Sequence, residues 1–307
     1  MAGVNAPMDR SGYPSRATLL EVGPRDGFQF EEAVIPTALK LEIIQGLMAA
    51  GLRHIQVTSF VNPRKVPQMA DAEELVQRLP KDPAVCFTGL VLNRVGLERA
   101  CKSGLSAVEI SVSASDSHSR RNTGMPLAVA VAQGQELIRA AVRDGLQVRA
   151  SVQCAFGCVQ EGPVSQDRVR DILTAFQSSG AHSLALADTT GMATPPAVKR
   201  LLRRVLPATG ALPIGLHLHD TRGLGLVNLM AGLECGVTRF DTAFGGLGGC
   251  PFVEGAAGNI ATEDTLYLLA ALGVETGVDA AAVARCSRRL ADFLGKTLAG
   301  KLYRLLY

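Results

Sequence analysis

Residues 182–220 read HSLALADTTGMATPPAVKRLLRRVLPATGALPIGLHLHD. A short apolar run comes first, a helical pattern then opens on Thr-Pro-Pro and closes on Gly210, and a second apolar run follows. Proline at a helix start and glycine just past its end are the usual boundary residues of a helix. The stretch therefore predicts one strand–helix–strand unit of a parallel sheet.

The same unit recurs along the chain. The predicted strands are residues 17–22, 54–60, 85–92, 107–115, 147–156, 182–188, 214–220 and 239–244. Glycines at 51, 104, 145, 180, 236 and 273 end helical patterns in the same register. Eight such units in 307 residues predict a (β/α)₈ TIM barrel. A doubly wound open sheet is the rival fold, but the first strand is not followed by the glycine-rich fingerprint of that fold.

The sequences at the two ends of the chain predict segments outside the eight strand–helix units. Residues 1–16 are polar and suggest a disordered lead, so that 17–307 form a single barrel domain. The stretch AAAVARCSRRLADFLGKTL (280–298) predicts an additional C-terminal helix that packs on the barrel or on a partner subunit.

Composition excludes several classes of protein. The chain is 47% hydrophobic and 19% charged, with a net charge of +3. Basic residues form no stripe interleaved with aromatics, so we expect no nucleic-acid partner. Neither a run of about 20 apolar residues nor a secretory signal is present, so we expect no membrane span. Seven scattered cysteines indicate reduced thiols and a cytoplasmic location.

Polar side chains collect at the predicted carboxyl ends of the strands, where barrel enzymes carry their sites. His217 and His219 alternate on one strand and point to the same face. Barrel closure makes strand 1 a neighbour of strand 8, which brings Asp26, and with it Asn259, toward the two imidazoles. Such a mixed nitrogen and oxygen set suits Mg²⁺ or Mn²⁺, with Zn²⁺ possible on ligand type. The alternative is a pair of packed, hydrogen-bonded histidines.

Two further clusters have both a structural and a functional interpretation. Arg25 and Asp26 form either a structural ion pair or a catalytic pair. His118, Arg120 and Arg121 lie either in a solvated loop or in a clamp for phosphate groups.

The segment GGLGGCPFVEGAAGN (245–259) raises a separate question. Its six glycines suit either a simple turn or a mobile arm that closes over a substrate and delivers the thiol of Cys250.

Four segments together resemble a known family. They are EVGPRDGFQFE (21–31), TSFVNPRKVPQM (58–69), HLHDT (217–221) and GGLGGCPFVEGAAGNIATED (245–264). The pattern resembles 3-hydroxy-3-methylglutaryl-CoA lyases, which belong to the metal-dependent TIM-barrel lyases. The resemblance runs from about residue 17 to residue 295, and the last segment is its most specific part.

The resemblance implies roles for individual residues. Asp26, His217, His219 and Asn259 would hold a divalent cation, Mg²⁺ or Mn²⁺ rather than Zn²⁺. The catalytic residues would be Arg25, which stabilises charge on the thioester oxygen, Cys250, which handles a proton, and Asp26 and Asp188 near the substrate. Residues that would bind the substrate or its CoA are Gln56, Arg121, Asn122, Gly248 and Gly249.

The reaction implied is the retro-Claisen cleavage of 3-hydroxy-3-methylglutaryl-CoA to acetyl-CoA and acetoacetate, a step of leucine degradation. The protein would bind an acyl-CoA and form a homodimer. The chain departs from the family where Gln56 replaces the usual glutamate, where Phe28 and Phe30 replace leucine and asparagine, and where Arg222 replaces tyrosine.

These departures keep three other functions open. The first is a lyase for another 3-hydroxyacyl-CoA, such as a citramalyl-CoA or an isohexenylglutaryl-CoA. The second is a related Claisen-type synthase or aldolase, and the third is a barrel that binds acyl-CoA without catalysis. If Gln56 retunes the enzyme, Gln56→Glu is expected to raise activity on the methylglutaryl ester.

Overall fold

The computed structural model describes residues 12–249 and 258–306. Eight parallel strands form a closed barrel in sequence order, and β1 pairs with β8. The strands are β1 (Thr18–Glu21), β2 (His54–Ser59), β3 (Cys86–Val91), β4 (Ala107–Ser113), β5 (Gln147–Gln153), β6 (Ser183–Ala187), β7 (Ile214–His217) and β8 (Arg239–Thr242). The predicted TIM barrel is confirmed.

Helices surround the barrel. In the described residues they are α1 (Thr37–Ala49), α2 (Ala72–Gln77), α3 (Arg94–Ser103), α4 (Asp116–Thr123), α5 (Leu127–Arg143), α6 (Gln166–Ser178), α7 (Pro195–Thr209), α8 (Gly225–Glu234), α9 (Thr262–Ala271) and α10 (Ala280–Leu294). A π-helical turn, Gly23–Gly27, directly follows β1. This turn carries Arg25 and Asp26 into the barrel mouth.

The predicted boundary residues have the conformations that end helices. Gly104, which follows α3, has a φ of 86°, and Gly180, which follows α6, has a φ of 98°. A positive φ suits glycine because glycine lacks the Cβ that clashes in the left-handed region. At the other end of α6, the Ser165 side chain accepts a hydrogen bond from the amide of Arg168. Local sequence therefore sets where these helices begin and end.

The strands are shorter than the apolar runs that predicted them. β7 ends at His217, three residues before the predicted end at 220, and β5 ends at Gln153 rather than 156. Beyond these points the chain leaves the sheet to form the site loops. His219 pairs instead with Asn259 in an isolated bridge.

The segment predicted as a solvated loop or clamp is a helix, so the loop alternative is wrong. Ser115 caps α4 by accepting a hydrogen bond from the amide of His118, and Asp116 lies in its first turn. Serine and aspartate at a helix start satisfy free amides and the helix dipole. The helix buries His118 and leaves Arg120 exposed, paired with Asp116.

The described segments nearest the two chain ends pack on the barrel. The additional C-terminal helix is α10, and it packs against α1 within the same chain. Arg16 forms a parallel bridge with Glu275, so the last residues of the predicted lead are part of the described structure. Residues 1–11 lie outside the described residues, and disorder there stays a prediction. No helix in the described part is both long and apolar enough to cross a membrane.

Candidate active site

A cavity of about 130 Å³ opens at the carboxyl ends of the strands. Its lining includes Arg25, Asp26, Phe30, Glu109, His118, Asn122, Gln153, His217, His219 and Gly249. In a TIM barrel this end carries the site because the βα loops meet there. The cavity thus contains both groups that could bind a cation and groups that could bind an anionic substrate.

Three side chains converge as a candidate metal site. Ligand atoms of Asp26, His217 and His219 all lie within 4.8 Å of one another. The two Nε2 atoms of the histidines are 3.1 Å apart, and Asp26 Oδ2 lies 3.9 Å from His217 Nε2. Asn259 is held against this group because its Nδ2 donates to Asp26 Oδ2 at 2.8 Å. The four residues predicted as ligands therefore meet at one point.

The free atoms of this group fit a divalent cation. Asn259 also donates to the Leu247 carbonyl, which fixes its amide orientation, and within the described ranges its buried Oδ1 accepts no hydrogen bond. His217 contacts Asp241 through Nδ1 at 3.1 Å, so its Nε2 lone pair is turned toward His219. A buried acceptor with no partner, such as Asn259 Oδ1, is costly, and so are two imidazole nitrogens 3.1 Å apart with no proton between them; a cation would satisfy either.

Burial and nearby charges shift the pKa values in this cluster in opposite directions. Burial, reinforced by the charge of His217, lowers the pKa of His219 to about 3. Burial also opposes the charge on His217, but Asp241 and Asp26 outweigh it and raise its pKa. Burial would raise the pKa of Asp26, yet the Arg25 guanidinium and the two imidazoles hold it below its usual range. An ionised Asp26 and a neutral His219 are the forms that bind metal.

A chain of buried polar side chains crosses the barrel beneath the cavity. Arg25 donates from Nε to Gln56 Oε1 and also pairs with Asp26. Gln56 Nε2 donates to Glu109 Oε2 at 2.9 Å. Arg149 donates to the same Glu109 oxygen at 2.7 Å and to Asp241 Oδ1 at 2.7 Å. Because Asp241 contacts His217, the chain connects the arginine side of the site to the metal side.

The other residues predicted for substrate or catalysis lie at different depths. Asn122 and Gly249 line the cavity, whereas Gln56, Arg121, Asp188 and Gly248 are not part of its lining. Gln56 is fully buried behind Arg25, so direct contact with substrate is not the role that its position supports. Cys250 lies outside the described residues.

Asp188 stabilises a loop. Its Oδ1 accepts hydrogen bonds from the amides of Met192 and Ala193, and its Oδ2 is buried with no hydrogen-bond partner among the described residues. Burial raises the pKa of Asp188 to about 6, although these amides oppose the shift. Arg222 lies nearby and donates to the carbonyls of Thr190 and Gly191, which fixes the same loop.

The two phenylalanines after β1 have different environments. Phe28 is fully buried and packs edge-on against Phe244, with ring centroids 5.9 Å apart. Phe30 is 36% exposed and lines the cavity. Of these two departures from the family pattern, only Phe30 therefore changes the cavity wall.

Sequence reasoning missed Glu109, Arg149 and Asp241. Each lies within a strand, on the face that points into the barrel, and each is largely buried. The available signal was a charged residue in an otherwise apolar parallel strand, since such strands are usually continuous hydrophobic runs.

The HMGL-like family model matches residues 16–290. The chain belongs to the HMGL-like family. Its relatives include the mitochondrial hydroxymethylglutaryl-CoA lyase of Bos taurus, 39% identical over 87% of this chain and 82% of that protein. A cytoplasmic 3-hydroxy-3-methylglutaryl-CoA lyase of Rattus norvegicus is 37% identical over 95% of this chain and 85% of that protein.

Solved structures of the HMGL-like family superpose closely on this chain. An HMG-CoA lyase from Acinetobacter baumannii, in complex with coenzyme A and 3-methylmalate, matches with a TM-score of 0.91 and 36% identity. The match covers 97% of this chain and 96% of that structure.

Proposed function

We propose that this protein is a divalent-metal-dependent lyase that cleaves 3-hydroxy-3-methylglutaryl-CoA to acetyl-CoA and acetoacetate. The observation that carries the proposal is the convergence of Asp26, His217, His219 and Asn259 beside Arg25 at the mouth of the barrel. Relatives named as lyases of this ester align over most of the chain.

The site supplies what a retro-Claisen cleavage requires. The C3 hydroxyl gives its proton to a base, a role for which Asp26 on the cavity wall is a candidate. The C2–C3 bond breaks, C3–O becomes the ketone of acetoacetate, and the electrons of the broken bond form the acetyl-CoA enolate. A divalent cation held by Asp26, His217, His219 and Asn259 would act as a Lewis acid toward the hydroxyl and carboxylate oxygens. Arg25 lines the cavity and is fixed by Gln56 and Asp26, so its charge is preorganised for the enolate oxygen.

The enolate must then take up a proton. We propose the Cys250 thiol as the donor, since a thiol with an ordinary pKa of roughly 8.5 stays protonated at neutral pH. The sequence places Cys250 directly after Gly249, which lines the cavity. Asp188 would act as a positioning residue through its loop.

The CoA part of the substrate would approach over α4. Asn122 lines the cavity and hydrogen-bonds Gln153 at 3.4 Å, and Arg121 is its exposed neighbour on that helix. Bound coenzyme A in the Acinetobacter baumannii relative supports an acyl-CoA partner. We further propose Mg²⁺ or Mn²⁺ as the metal, a cytoplasmic location and a homodimer.

Release of acetyl-CoA from 3-hydroxy-3-methylglutaryl-CoA tests this function. With Mg²⁺ or Mn²⁺ the protein should turn over the ester, and EDTA should abolish turnover. His217→Ala should lower kcat by at least about 10³-fold, because it removes a ligand of the cation. Unimpaired activity of this variant would contradict the metal-dependent mechanism.

A second candidate is cleavage of a related 3-hydroxyacyl-CoA, which Phe30 favours because it presents an aromatic ring to the cavity. A panel of 3-hydroxy-3-carboxymethyl acyl-CoAs separates the two candidates. A kcat/KM that is highest for a longer acyl chain would support the second.

A further inference from the structure

Gln56 joins an arginine to a carboxylate through the two ends of its amide. Its Oε1 accepts from Arg25 and its Nε2 donates to Glu109. An arginine only donates and an ionised carboxylate only accepts, so this amide orientation alone satisfies both partners. The side chain is fully buried, where an unsatisfied polar group is costly.

Only one of the two carboxylate oxygens of Glu109 accepts hydrogen bonds from described residues. Both Gln56 and Arg149 donate to its Oε2, at 2.9 and 2.7 Å. Among residues 12–249 and 258–306, nothing donates a hydrogen bond to Oε1, although the side chain lines the cavity. Glu109 is thus a buried carboxylate at the cavity wall, reached from Arg25 through a single amide.

Gln56 and Glu109 are a matched pair. With glutamate at both positions, two carboxylates would face each other across the present 2.9 Å contact. With glutamine at both positions, each would turn its oxygen to an arginine, and two donor NH₂ groups would then meet. Every donor between Arg25 and Arg149 therefore finds an acceptor only when one of the two positions is an acid and the other an amide.

We propose that Gln56 and Glu109 act as one positioning unit for Arg25, with Glu109 supplying the negative charge that the resembled family carries at position 56. The amide of Gln56 holds the guanidinium, and Glu109 holds the amide. This inference rests on the proposed lyase function. It also reverses the expectation that Gln56→Glu alone would raise activity.

Exchanging the two residues tests the proposal. In the double variant Gln56→Glu with Glu109→Gln, Arg25 and the amide introduced on β4 would both donate to the carboxylate introduced on β2. Arg149 would donate to the oxygen of the introduced amide. Net charge and the number of hydrogen bonds are unchanged. Each single variant instead leaves two carboxylates or two NH₂ groups facing each other between positions 56 and 109, and we expect this repulsion to displace Arg25.

The measurements are kcat and KM for acetyl-CoA release and the denaturation midpoint, for the wild type, both single variants and the exchange. Each single variant should lower kcat by on the order of 10²-fold, as displacement of a catalytic group does. The exchange should recover kcat to within about fivefold of the wild type, so that the two effects do not multiply. Glu98→Gln, which alters an exposed ion pair with Arg94, is the matched control and should leave kcat unchanged.

The outcomes separate this inference from the function itself. Suppose that the wild type turns over the ester and that the loss of kcat in the exchange equals the product of the losses in the two single variants. The inference is then wrong and the function stands. Suppose instead that the two substitutions are non-additive only in the denaturation midpoint, with an equal kcat in all four proteins. The pair is then only structural, and the proposal also fails. If a single variant does not fold, the exchange decides alone, since a folded exchange with a loss of kcat on the order of 10²-fold overturns the proposal. A wild type without turnover contradicts the lyase function instead.

Discussion

His217 is held in place from two sides. Its Nδ1 contacts Asp241 at 3.1 Å, and its Nε2 faces Asp26 and His219. Asp241 is itself fixed by Arg149 through two hydrogen bonds of 2.7 and 3.0 Å. A carboxylate behind a histidine sets the tautomer and increases the basicity of the ligating nitrogen.

Asp241→Asn is therefore expected to weaken metal binding and activity by about 10- to 100-fold, the usual effect of losing such a partner. Calorimetric titration with Mn²⁺ and the metal dependence of kcat measure the change. Asp171→Asn, on the exposed face of α6, is the control and should have no effect. Unchanged Mn²⁺ affinity in Asp241→Asn would show that Asp241 does not support the ligand.

Glu21 is a buried acid behind the site. It accepts hydrogen bonds from the amides of Gly23 and Phe244 and from the Thr262 hydroxyl. Burial nevertheless raises the pKa of Glu21 to about 8. The folded protein therefore binds a proton here that the unfolded chain releases above about pH 4.5.

Because the folded state binds more protons, this contribution to stability is complete below about pH 4.5 and declines as the pH rises toward 8. Glu21→Gln keeps the shape of the side chain and removes the titration, so its denaturation midpoint should depend less on pH in this window. Urea unfolding at several pH values measures it, and parallel pH curves for the two proteins would contradict the assignment.

At the scale of elements, the two described ends of the loop after β8 lie against the candidate metal ligands. Gly248 has a φ of 116°, and a Cβ at this position would lie 2.5 Å from Asn259 Nδ2. A Cβ at Gly258 would lie 2.3 Å from the carbonyl carbon of Gly248. These glycines therefore let the two ends of the loop approach each other beside Asn259.

Gly248→Ala should displace Asn259 and lower activity by at least about tenfold while the barrel stays folded. Gly104→Ala is the matched control, because Gly104 also has a positive φ of 86° but a Cβ there meets nothing within 4 Å. Both variants should lose about 1 kcal/mol of stability from backbone strain. Equal kinetic losses in the two would mean that the contact with Asn259 does not matter for catalysis.

At the scale of the whole molecule, we expect the barrel to fold without the metal. Continuous apolar packing joins strands and helices, from Val22 and Ile55 to Leu216 and Leu290. The candidate ligand side chains are also held by protein partners, as His217 is by Asp241. We therefore expect loss of the metal to affect the catalytic centre and not the folded barrel.

Removal of metal should abolish turnover and leave the circular dichroism spectrum unchanged. Adding Mg²⁺ or Mn²⁺ should restore activity and raise the melting temperature, because a ligand that binds only the folded state stabilises it. Loss of the folded spectrum on chelation would mean that the cation is structural.

The sequence predicts features that depend on neighbouring residues better than contacts between residues far apart in the chain. The eight strands follow from apolar runs and the helix ends from glycines, because both depend on neighbouring residues. The proximity of Asp26 to His217 also follows, since barrel closure makes the first and last strands neighbours. Helix α4 was missed because its polar composition resembles a loop, while capping by Ser115 stabilises it.

What only the tertiary structure decided are two contacts in the row from Arg25 to His217, that of Gln56 with Glu109 and that of Arg149 with Asp241. Gln56 lies on β2 and Glu109 on β4, and Arg149 on β5 reaches Asp241 on β8. β2 and β4 are not neighbours in the sheet, and neither are β5 and β8, so strand pairing does not predict these two contacts. Glu109 and Arg149, by contrast, are register partners on neighbouring strands, as are His217 and Asp241. Side chains that meet across the inside of a barrel do so because of their length and the tilt of the strands, which are properties of the closed barrel.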